Sequence, residues 1–183
     1  MKISSANWIL AILAFASILP FADVPPAIGK EKPLCEGSGL EQVAKVDLKD
    51  ARRFMSNVTY RNVSAGHGNQ IEHATADGRV FLWYPGNNVI LPGKWKLIEQ
   101  RQNNGACVLR SVSLCFQYGA NTYNPVTGSQ GAEWECGEFG RFRSGRAEVV
   151  PGDPLGLQRM SVPPFLLPRT DQSIAQIAIQ MHR

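Results

Sequence analysis

His67-Gly68-Asn69-Gln70-Ile71-Glu72-His73 brings two imidazoles and a carboxylate together, side chains that can ligate a divalent metal or move protons. A zinc-protease helix holds its two histidines four positions apart, so that both rings leave one face. Here they stand six apart with Gly68 inside. That spacing misaligns them on a helix, and on a strand it would separate them by about 20 Å. The stretch therefore predicts exposed loop histidines and no metal. Glu133, Glu135 and Glu138 surround Trp134 and Cys136. A glycosidase needs two carboxylates flanking a sugar bond, one with a raised pKa. On a strand, Glu133 and Glu135 would share a face and simply be solvated, with Cys136 on the opposite side. A secreted hydrolase using Glu72, Glu133 or Glu135 with a histidine is the enzymatic alternative. The chain has no Gly-x-Ser-x-Gly elbow, phosphate-cradling Gly-Lys loop or dinucleotide fingerprint, and nothing in it calls for a cofactor.

The four cysteines are Cys35, Cys107, Cys115 and Cys136. None forms a C-x-x-C pair, which leaves a zinc ribbon or a thioredoxin-like site without support. An even count behind an export signal points to two disulfides in an oxidising compartment. Three pairings are open, and geometry prefers one. If 107–118 and 132–142 are neighbouring antiparallel strands, Cys115 and Cys136 can face each other with Cβ atoms about 4.5–5.5 Å apart, close enough for a disulfide. Cys35 would then tie the N-terminal segment to Cys107. A catalytic thiolate would instead need a free thiol and an activating base.

The elements that hold these groups begin after a leader. Lys2 is followed by the uncharged apolar run Asn7–Leu19 and by Pro20-Phe21-Ala22, which looks like a secretory signal peptide, too short to span a bilayer. Cleavage is expected after Ala22; Ala14-Phe15-Ala16 is the other small-x-small site, and an uncleaved N-terminal anchor is the alternative. Removing 1–22 deletes one base and no acid, taking the formal net charge from +4 to +3. That is too mild for a nucleic-acid footprint. After cleavage no stable membrane insertion is expected. The remaining residues suffice for one domain with its own core.

Residues 23–46 form an extended leader, rich in Pro, Gly and charge at its start. Asp47 caps a short helix through Asn57, with Leu48, Ala51 and Met55 on one face. From Val58 the apolar period becomes two. Asp77-Gly78 and Pro85-Gly86-Asn87-Asn88 mark turns around the strand 79–84. Further strands are expected at 94–98, 107–118 and 132–142. Residues 47–150 thus read as a mainly β domain, a single antiparallel barrel or sandwich. Residues 151–183 read as a Pro-rich strap and terminal segment packed on it, ending in a helix around Ile174, Ile177 and Met181 with Thr170 or Asp171 as its cap.

The short acid-capped helix, Thr59-Tyr60, the Asp77-Gly78-Arg79 turn before an aromatic strand, Gly93-Lys94-Trp95, Leu114-Cys115-Phe116 and the later Cys136 come in a telling order. Over roughly 47–140 this resembles a family of small exported proteobacterial proteins known only as a domain of unknown function. The resemblance implies an exported β domain and no established activity. The expectation is a periplasmic or secreted, non-enzymatic β domain that binds a small ligand or an envelope or host partner, not nucleic acid. Its binding surface would come from Trp83, Tyr84, Trp95 and Trp134, with Phe116 and Tyr118 as further aromatic candidates. A protein acting by surface contacts alone would instead show an exposed apolar patch.

Overall fold

The computed structural model describes residues 32–33, 46–124 and 128–182. Helix α1, Leu48–Met55, starts where Asp47 accepts a hydrogen bond from the Asp50 amide at 2.7 Å, and it buries Ala51 and Met55. Asn57 takes a left-handed φ of 54° and turns the chain into the sheet. Seven strands follow: β1 Val58–Ser64, β2 Gly68–Ala74, β3 Arg79–Trp83, β4 Leu91–Asn104, β5 Cys107–Tyr118, β6 Glu135–Glu138 and β7 Glu148–Pro151. Helix α2, Phe139–Ser144, links β6 to β7, and helix α3, Ile174–Met181, comes last.

The fold is mainly β, as expected. All strands belong to one antiparallel sheet in the order β6-β5-β4-β3-β2-β1-β7. Strands β1 to β6 form a meander, and β7 returns to the far edge beside β1. A flat sheet of this order would be about 29 Å from first strand to last. The link between those edges is mostly α2, whose six residues rise only about 9 Å. The sheet must therefore curl. It does not close: β6 and β7 do not pair, so the closed barrel among the two expected architectures is excluded and the sheet is an open, sandwich-like one. Helix α2 bridges the two edge regions, for it packs on β5 and β6 while its Phe142 ring meets Tyr60 of β1 edge-on at 5.1 Å.

The curl gives the sheet an inner and an outer face. On the inner face, Val58, Ala74, Val80, Trp95, Val112 and Leu114 pack beneath α1 and against Phe139. On the outer face, Ile71, Trp83 and Ile90 are covered by the C-terminal strap through Leu155, Leu157 and Leu167, and by Ile174 and Ile177 of α3. One buried cation fastens this cover. Arg61 donates from Nε to Glu148 Oε2 at 3.1 Å and also pairs with Asp171 on the strap. The same Glu148 oxygen accepts from the Ile174 amide at 2.9 Å, which ties in the start of α3.

Several local expectations need correcting. Only 135–138 of the expected 132–142 strand is extended. The Glu138 carboxylate accepts from the Gly140 and Arg141 amides, both at 2.8 Å, and starts α2 there. The terminal helix is capped by Ser173 in a capping box with Gln176, while Asp171 is engaged by Arg61. His73 is not in a loop: it lies in β2, fully buried on the outer face, within 3.2 Å of Thr59 Oγ1. No helix among the described residues is long and apolar enough to cross a membrane. The expected signal peptide and nearly all of the leader lie outside the described residues.

Candidate functional site

At the end of the inner face away from α1, the side chains do not meet. They leave a cleft of about 420 Å³ whose wall includes Tyr60, Glu72, Leu82, Phe116, Tyr118 and Phe142. It continues into a smaller pocket of about 180 Å³ beside the β5–β6 loop, lined by Tyr84, Leu91, Glu133 and Arg169 among others. His67, Gln70 and Glu135 line both parts.

Strand register builds the floor. Tyr60, Glu72, Leu82 and Leu91 stand directly opposite one another across β1 to β4. The next position on this face of β4 is Gly93, paired with Tyr118 of β5. A Cβ on Gly93 would come within 2.7 Å of the Tyr118 ring, so only glycine lets that ring lie over the strand. Lying there, Tyr118 reaches back over β4 and β3, and its hydroxyl donates to Glu72 Oε1. Arg146, just after α2, closes the far side. Its Nε donates to the Phe142 carbonyl at 2.9 Å, and its guanidinium stacks 4.1 Å from the Phe142 ring centroid and 5.6 Å from that of Tyr60.

The electrostatics follow from burial. Desolvation raises the pKa of Glu72, opposed by the Tyr118 hydrogen bond, the nearby Tyr60 hydroxyl and the charge of Arg146. Burial, with the Glu72 charge second, raises both Tyr60 and Tyr118 well above the usual phenol range. Burial lowers the pKa of Arg146. The Tyr60 hydroxyl lies close enough to Glu72 to bear on its pKa but forms no well-made hydrogen bond among the described residues. On the other face of the sheet, burial lowers the pKa of His73, opposed by the charge of Asp153.

Glu72 yields a stability prediction. A carboxyl whose folded pKa lies above its unfolded one stabilises the fold fully only below the unfolded value, and that contribution is lost as pH rises through the folded value. Glu72→Gln removes the cost of holding an ionised group there and keeps an acceptor for Tyr118. The variant should therefore melt higher than the parent at pH 8, by about 2–4 °C for each kcal/mol gained. The two should converge at pH 4, where the parent carboxyl is protonated. Equal differences at both pH values in calorimetry would refute the assignment.

Of the aromatic residues expected to bind, Tyr84, Phe116 and Tyr118 line the cleft or its mouth. Trp83 is fully buried on the outer face against Phe165, with ring centroids 5.3 Å apart. Trp95 is core as well, its Nε1 donating to the Thr75 carbonyl at 2.9 Å. Trp134 stacks under the Lys96 ammonium, 4.0 Å from its ring centroid. Lys96 alternates with inward-facing Trp95, which puts this pair on the outer side. The candidate hydrolytic groups Glu72, Glu133 and Glu135 do gather around the cleft with His67, whereas His73 faces away. Sequence reasoning missed Tyr60 as a site residue. Tyr60 and Arg146 meet only through the curl of the sheet, and no local pattern announces that.

Cys115 and Cys136 stand in direct register and form the expected disulfide, with Cα atoms 4.0 Å apart. It fixes β6, and through β6 the start of α2, to β5. Cys107 is also disulfide-bonded, and its expected partner Cys35 lies outside the described residues. Among the described residues no group of three or more His, Cys, Asp or Glu is arranged to hold a metal ion. Comparison with protein-family models, with curated proteins and with solved structures found no match.

Proposed function

We propose that this chain is an exported, non-enzymatic β domain that holds a small ligand in the inner-face cleft. The observation that carries this reading is the cleft itself: largely apolar walls from Leu82, Leu91, Phe116 and Phe142, with a few polar groups converging at the floor, the usual make-up of a small-molecule site. Residence in the periplasm or outside the cell is part of the proposal. It is supported by the signal-like residues 1–22 and by disulfide bonding. Membership of the exported family that residues 47–140 resemble belongs to the same proposal.

A second reading is favoured by one specific observation: Glu72, Glu135 and His67 line one cleft, and burial raises the Glu72 carboxyl as a general acid requires. A single experiment weighs both. Small molecules are screened against the mature protein by NMR, alongside Gln70→Trp, whose indole fills the cleft. The binding reading expects one-to-one binders lost in Gln70→Trp and recovered unchanged after incubation. Binders that ignore the filled cleft overturn it. Turnover that disappears in Glu72→Gln hands the site to the hydrolase.

A further inference from the structure

We propose that the cleft is shaped for an organic cation, a positively charged nitrogen carried on an apolar body. This rests on reading the cleft as a ligand site and adds the chemistry of the ligand. Three observations converge on it.

The first is an unused polar atom. Tyr60 is 1% exposed, lines the cleft, and its hydroxyl has no hydrogen-bond partner among the described residues. Beside it, the buried Glu72 carboxylate accepts from the Tyr118 hydroxyl through Oε1. A buried hydroxyl and a buried carboxylate side by side on the cleft floor suit a ligand that brings N–H donors.

The second is charge balance. The groups that face Glu72 are Tyr60 of β1, Tyr118 of β5, Glu135 of β6, Arg146 beyond α2, and His67 of the β1–β2 turn. Two carboxylates meet one guanidinium. At the mouth, Glu133 and Arg169 offset each other. A monocation completes the balance. An anion would have to face Glu135 and would need Glu72 protonated.

The third is the wall. Tyr60, Phe116, Tyr118 and Phe142 present rings to the space, and ring faces attract cations. Two of these rings already carry the Arg146 guanidinium, at 4.1 Å and 5.6 Å.

Three probes with one body and different heads test this: phenethylammonium, phenylacetate and 2-phenylethanol, each titrated against the full mature protein with NMR shifts read at cleft residues. Phenethylammonium should bind at least about tenfold more tightly than either of the others, and its affinity should climb with rising pH as Glu72 ionises. Glu72→Gln should weaken it about tenfold and flatten that pH dependence. Glu135→Gln, at the rim and away from the floor, should weaken it about threefold and leave the pH dependence in place. Phenylacetate or 2-phenylethanol binding the same residues as tightly overturns the cation and leaves the ligand cleft standing. No shift from any probe at about 10 mM overturns both.

Discussion

Replacing Trp83 with alanine is expected to destabilise the protein by about 3–5 kcal/mol, a large part of a typical domain's stability of about 5–15 kcal/mol. Trp83 sits at the end of β3 with none of its surface exposed, and it is the largest fully buried side chain on the outer face. It joins the sheet to the strap: its ring meets Phe165, and its cluster includes Leu155, Leu157, Leu167 and both buried isoleucines of α3. Polar contacts add to this: the Ile90 amide donates to the Ser161 carbonyl at 2.9 Å, and the Arg169 guanidinium donates to the Gly66 carbonyl at 3.0 Å. Arg61 adds a buried ionic anchor at Asp171. The indole N–H has no hydrogen-bond partner among the described residues, so the loss on truncation is packing and cavity, not a broken polar contact. Trp83→Phe keeps most of the ring volume and removes that N–H, so its cost should be well under half that of alanine. Urea unfolding measures both variants. Limited proteolysis near Pro163–Pro168 should show the strap released first in Trp83→Ala. A cost below about 1 kcal/mol, or a strap equally protected, would show that the outer cluster does not hold it.

Loss of the Cys115–Cys136 bond should cost about 3 kcal/mol in the chain-entropy account of a loop with a sequence separation of 21. Its local consequence matters more. Strand β6 has four residues, pairs only with β5, and is mostly exposed. Nothing comparable to the cystine pins it. Glu135 of the cleft lies on β6, Glu138 starts α2, and Arg146 follows α2, so one wall of the cleft hangs from this bond. Cys115→Ser with Cys136→Ser should lower the unfolding midpoint and speed hydrogen exchange from Glu135 to Arg146. The strap and β1–β3 should keep their protection, because they are held from the other face. Chemical reduction should reproduce the pattern. Uniform loss of protection, or none, would sink the idea of a locally hung wall.

These expected effects trace which parts of the molecule could be foreseen. Helix α1 was legible because its capping acid, its apolar face and its stop residue lie within one short stretch, and the structure uses all three. The Asp77-Gly78 turn was legible for the same reason: Gly78 takes a φ of 91°, which few other residues tolerate. The Cys115–Cys136 bond could be inferred from alternation and the geometry of facing strands. Helix α2 could not, since Glu135–Arg143 alternates enough to pass for a strand and only the Glu138 cap decides where it bends.

For the site, the sequence alone established the residue types: carboxylates, aromatic rings and arginines, in strands rich enough in apolar residues to form a sheet. It determined what any strand or turn can announce within about ten residues, because capping, alternation and turn chemistry act at that range. Only the tertiary structure decided which aromatic residues are core and which line a cavity. Alternation assigns a residue to a face but does not say what covers that face. Here the strap buries Trp83, α1 buries Trp95, and the curl of the sheet carries Tyr118 over Gly93 to Glu72. Those contacts join positions far apart in the chain, and they exist only once the sheet has bent.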